Sequence, residues 1–164
     1  MANRLLFLMR HAEAVTFAPG LGDIDRPLSS DGRDQAGRAG TYLEELGVRI
    51  EGVLCSAAVR TKETAGLLGL SAPVRHTTEI YNAGSDTIRE LVSEVDDSVT
   101  VLLVVGHAPG IPTLAHDLAD EQVSDAEALA RISRGYPPAT LVGIELEGSW
   151  ADLRPGRLAY CFVA

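Results

Sequence analysis

The sequence predicts a three-layer α/β sandwich with a mainly parallel central sheet flanked by helices, and three observations carry that prediction. Short apolar runs, Leu5 to Met9, Val53 to Cys55 and Val101 to Val105, lack alternation and are bounded by turn residues, as strands covered on both faces are. Between these runs apolar residues recur at helical spacing. Strand and helix signals then alternate along the chain, which is the order of crossover units in a parallel sheet. The 164 residues, 46% hydrophobic and 23% charged, suit one compact domain spanning positions 1–164.

The elements follow in order. The first strand, Leu5 to Met9, runs into Arg10-His11. Ala36, Ala39, Leu43 and Leu46 share one helical face after Ser30-Asp31, and Gly47 is placed to stop that helix. Ser56, at the end of the second strand, is expected to cap a helix over Val59 to Leu68. A third strand precedes Thr77-Thr78-Glu79. Ile88, Leu91, Val92 and Val95 form the next apolar face, after Ser85; the fourth strand, Val101 to Val105, leads to Ile111, Leu114, Ala115 and Leu118 after Pro109-Gly110. Ala119 to Asp125 reads as a polar loop before a helix ending near Ser133. Two last strands, Leu141 to Glu147 and Leu158 to Val163, joined through Gly148-Ser149-Trp150 and Pro155-Gly156, are expected to close one sheet edge.

Charge narrows the partners. With 23 acidic against 14 basic residues the net charge is −9, so the average surface field repels nucleic acid and anionic membrane, and neither is expected as a partner. All the basic residues except Lys62 are arginines, whose forked donors match phosphate oxygens. Cys55 and Cys161 lack metal-ligand or CxxC spacing and read as buried reduced thiols. The apolar run from Leu5 to Met9 is too short for a signal peptide, and Val101 to Val105 too short for a membrane span. A cytoplasmic protein is expected.

Strand ends collect the unusual polar residues: Arg10-His11 after the first strand, Arg60 one helical turn past the second, Gly106-His107 after the fourth. Parallel strands carry their ligand crevice beyond the carboxyl ends, so these groups should meet there. A phosphoryl group in transfer spreads negative charge over three oxygens, which Arg10, Arg60 and His107 can clamp while a neutral His11 attacks in line. A hydrogen bond from the other His11 nitrogen to a backbone carbonyl would fix the tautomer. His76 and His116 read as structural or surface residues. Asp23, Asp25 and Arg26 lie in a loop, Gly20 to Leu28, expected to overhang the site, with the aspartates explained by turn chemistry.

Leu8-Met9-Arg10-His11-Ala12-Glu13 resembles the signature of the histidine phosphatase superfamily, in its Arg-His-Ala variant. Arg26-Pro27-Leu28-Ser29 with Asp31-Gly32, Ser56 to Ala65 around Arg60, and Val104-Val105-Gly106-His107-Ala108-Pro109 are similar to the family's later motifs, in order. The short chain and the Arg-Pro-Leu segment resemble the SixA-type phosphohistidine phosphatases. Phosphoglycerate mutases usually carry Gly in place of Ala12 and have longer inserts. The resemblance implies a phosphoglycerate mutase-like fold, His11 as nucleophile, no cofactor or metal, substrate contacts from Arg10, Arg60, His107 and Arg26, and Glu79 where relatives carry a proton donor. It implies a phosphorylated protein or a small phosphorylated compound as substrate. The alternatives are a phosphatase of small phosphomonoesters, a mutase, and a non-catalytic phosphate-binding regulator; a metal-dependent hydrolase lacks the expected ligand spacing.

Overall fold

A computed structural model describes residues 3–17 and 19–164. Six strands form one sheet: β1 (Asn3–Arg10), β2 (Gly52–Ser56), β3 (Val74–Thr77), β4 (Val101–Gly106), β5 (Leu141–Glu147) and β6 (Arg157–Phe162). Their order is β3-β2-β4-β1-β5-β6. The pairs β1 with β4, β2 with β4 and β2 with β3 are parallel, whereas β5 runs antiparallel to both β1 and β6. The two tail strands thus close one side of a mainly parallel sheet, as expected.

Helices α1 (Ser30–Leu46), α2 (Val59–Gly66), α3 (Ser85–Ser93), α4 (Gly110–Leu118) and α5 (Ala126–Ser133) cover the two faces. Strand pleating sorts the core. Phe7, Met9, Val53, Cys55, Leu103 and Val105 pack with Ala36, Ala39, Leu43 and Leu68 on one side. Leu6, Leu8, Leu54, Leu102 and Val104 pack on the other with Ile88, Leu91, Val92, Ile111, Leu114, Leu118 and Ile132. Neighbouring residues of one strand point to opposite faces, so the continuous apolar runs serve two separate cores.

Local signals act largely as read. Ser29 Oγ accepts from Gly32 N and caps α1, and Gly47 ends it in the left-handed conformation. Asp125 caps α5 through its side chain. Two readings need correction. The residue capping α2 is Ala58, with no side-chain cap; Ser56 is fully buried, its hydroxyl turned toward His107. Val95 lies two residues beyond the end of α3, still packed against the core. Among the described residues, no helix is long and apolar enough to cross a membrane.

Candidate active site

The parallel register places the chemistry. Arg10 is the register partner of Gly106, so the next residues, His11 and His107, emerge side by side from adjacent strands, and His11 N donates to Gly106 O at 2.9 Å. Their rings lie 5.3 Å apart, centre to centre, close to the spacing of neighbouring strands. Beyond β2, α2 carries Arg60, 5% exposed, with its guanidinium 5.8 Å from the centre of the Tyr81 ring. Tyr81 in turn meets His107 edge-on at 5.7 Å. Arg10, the last residue of β1, donates from Nη1 to Tyr136 O at 2.9 Å.

Hydrogen bonding sets the state of each group. His11 Nδ1 lies 2.6 Å from Ala12 O. A carbonyl only accepts, so Nδ1 carries the hydrogen and Nε2 the lone pair. Burial, reinforced by the charges of Arg60, Arg10 and Arg26 and opposed by the Ala12 bond, lowers the His11 pKa to about 4. Burial, then Arg60 and His11, lower His107 to about 3. Both imidazoles are neutral at neutral pH. Among the described residues, the buried Arg10 Nε, Arg60 Nε and His107 Nδ1 have no hydrogen-bond partner. Buried polar atoms are rarely left so, and these three belong to side chains that neighbour His11.

One carboxylate stands at the rim. Asp23 accepts from Arg60 through its backbone oxygen at 2.8 Å and its Oδ2 at 3.2 Å, from Arg26 Nε through Oδ1 at 2.9 Å, and from the Tyr81 hydroxyl. These bonds, Tyr81 first and Arg26 second, lower its pKa to about 2. Among the described residues no three His, Cys, Asp or Glu side chains gather to hold a metal ion.

Residues 6–80 match the histidine phosphatase superfamily (branch 1). An uncharacterised Mycobacterium tuberculosis protein is 39% identical over 92% of this chain and 95% of its own length. A Nakamurella multipartitia structure described as a candidate phosphohistidine phosphatase SixA superposes with a TM-score of 0.88 at 34% identity, over 99% of this chain and 97% of that one. The chain belongs to the histidine phosphatase superfamily. It is a phosphatase with the phosphoglycerate mutase-like fold. The tungstate complex of the protein histidine phosphatase SixA, at 23% identity and a TM-score of 0.73 over 96% of this chain and 95% of that one, agrees in fold.

Within this histidine phosphatase the residues singled out from sequence separate into two groups. Arg10, His11, Arg60 and His107 come together. Arg26 stands near enough for its charge to act on His11, but its guanidinium is engaged by Asp23 and, at 2.6 Å, by Val15 O. Glu79 lies exposed on the turn after β3, its backbone N–H bonded to Thr77 Oγ1. His76 and His116 are exposed, as expected. Sequence reasoning underrated Asp23, whose partners are 37 and 58 positions away, and Ser56, whose Oγ is 2.8 Å from His107 Nε2. It also passed over Thr64, which accepts from Ala12 N at 3.0 Å and donates to Arg60 O at 2.7 Å, tying the His11 loop to α2. A signal for Thr64 existed: it lies one helical turn past Arg60, on the same face.

Proposed function

We propose that this phosphatase takes the phosphoryl group onto His11 Nε2 without a metal ion, and that its substrate is a phosphorylated histidine in another protein, with positions 1–164 acting as one catalytic domain in the cytoplasm. The observation that carries the reading is the set of buried, unpartnered nitrogens on Arg10, Arg60 and His107 around an imidazole whose lone pair is free. Such a cradle is built for three oxygens carrying negative charge, and its donors need no reorganisation when that charge develops. We assign the Ser56 hydroxyl, 2.8 Å from His107 Nε2, as the donor to that nitrogen, which puts the His107 hydrogen on Nδ1, to be offered to the phosphoryl oxygen.

In the first step a bond forms from His11 Nε2 to phosphorus as the bond from phosphorus to the substrate nitrogen breaks. A substrate imidazole protonated on its other nitrogen leaves neutral and needs no external acid. Water then attacks phosphorus: the P–O bond forms, the P–Nε2 bond breaks, both water protons leave with the phosphate as dihydrogen phosphate, and His11 regains its lone pair. An alkoxide leaving group would need a proton, and Glu79 is the residue we assign to supply it for small phosphomonoesters. The free thiols of Cys55 and Cys161 favour a reducing compartment.

A panel assay tests the reading, setting a phosphohistidine protein against common phosphomonoesters, with His11→Ala as control and with chelator present. The expected result is chelator-resistant preference for phosphohistidine and an acid-labile, alkali-stable phosphoryl group on the wild type alone. Turnover by His11→Ala equal to wild type would refute the nucleophile; preference for phosphomonoesters would refute the substrate.

A further inference from the structure

Among the described residues, the carboxylate bonded directly to a site arginine is that of Asp23. Its carboxylate is 53% exposed, whereas the Arg60 side chain it binds is 6% exposed, so the pair spans from the buried cradle to solvent. Arg60 Nε faces no protein partner while both of its terminal nitrogens are held by Asp23. Arg26, the other nearby cation, is paired with the same carboxylate at 2.9 Å. Tyr81 donates to Asp23 and packs its ring against His107. Asp23, Arg60 and Tyr81 therefore contact one another, and Tyr81 links them to His107.

In the binding mode proposed above, the phosphoryl oxygens meet the unpartnered nitrogens of Arg10, Arg60 and His107 at the buried floor. In-line attack by His11 sends the leaving group away from that floor, toward the open side. The exposed carboxylate of Asp23, bonded to the buried Arg60, borders that open side, and its two neighbouring arginines are already paired with it. A second anionic group on the substrate meets like charge and finds its nearest cations engaged; a neutral or cationic N–H group meets an acceptor.

We infer that Asp23 is a specificity-determining residue, which rejects phosphorylated compounds bearing an anionic group beside the phosphate and admits those whose leaving group is neutral or cationic, the imidazole of phosphohistidine among them. The inference rests on the anion site described above and deepens that reading to a charge rule for substrates. Asp23 also positions Arg60, and Asp23→Asn separates the two roles: it keeps the backbone oxygen and one side-chain oxygen for Arg60 and Tyr81, while it loses the charge and the Arg26 bond.

Equilibrium binding of two non-hydrolysable probes tests the rule independently of catalysis: phenylphosphonate and 3-carboxyphenylphosphonate, titrated calorimetrically into wild type and Asp23→Asn. Wild type is expected to favour phenylphosphonate by about tenfold, the size of one like-charge contact at a half-exposed position. In Asp23→Asn that preference is expected to fall to about twofold or less, with a retained cooperative thermal transition as the check on folding. The same preference in both proteins overturns the charge rule and leaves the anion site standing. Binding of neither probe to wild type removes the anion site and the rule with it. Discrimination as expected, but no phosphoryl group trapped on His11, sustains the rule and refutes the covalent chemistry.

Discussion

At His11 two opposing influences meet: the Ala12 carbonyl favours a hydrogen on Nδ1, while burial and the surrounding guanidinium charges disfavour a second proton on Nε2. The outcome is a neutral ring with its lone pair available. Arg60 does different work, since its Nε is one donor among several. Losing one preorganised donor to a transition-state oxyanion costs about 3 kcal/mol, or on the order of a hundredfold in rate, whereas losing the nucleophile removes the route. Arg60→Ala is therefore expected to retain a measurable fraction of kcat/KM, about one hundredth, and His11→Ala none above background. Equal residual rates in a steady-state assay would end the assignment of His11 as nucleophile.

Among the elements, the first turn of α1 holds the loop that follows His11. Ser29 caps the helix and also donates to Glu13 Oε1 at 2.9 Å, while Ser29 N donates to Glu13 O at 3.0 Å. Gly32 is packed so closely that a Cβ there would overlap the Glu13 carbonyl. Gly37, five residues on, faces open space on the same helix. The two positions should respond with opposite signs to alanine. Gly32→Ala is expected to destabilise by about 2 kcal/mol through backbone displacement and to lower kcat as the His11 loop shifts. Gly37→Ala is expected to stabilise by about 0.5–1 kcal/mol from helix propensity alone. Urea midpoints of the two variants check this; a loss at both positions would mean that helix packing, not the Glu13 contact, governs α1.

For the whole molecule, the buried histidines link the site to stability. Their folded pKa values, about 4 for His11 and about 3 for His107, lie below the ordinary 6.5. Between pH 6.5 and about 4 the unfolded chain therefore binds protons that the folded chain does not, and stability falls as pH falls through that window. The combined effect is on the order of a few kcal/mol. Urea unfolding at pH 7 and pH 4.5 is expected to show a smaller acid loss in the His11→Gln, His107→Gln double variant than in wild type. Equal losses would place the acid sensitivity in other groups.

Strand and helix order and the convergence of Arg10, His11, Arg60 and His107 were legible in the sequence, because apolar periodicity and strand-end position are local properties that a parallel sheet converts into one shared edge. The tail strands were legible for the same reason. Asp23, Ser56 and Thr64 were not, since each is an ordinary turn or helix residue until the fold brings its distant partner: Arg60 and Tyr81 for Asp23, His107 for Ser56, the Ala12 amide for Thr64. Residue types and their order along the chain by themselves determined the architecture and the neighbourhood of His11. Only the tertiary structure decided which hydrogen-bonding groups are paired and which are left open to an anion, because that depends on contacts between segments far apart in the chain.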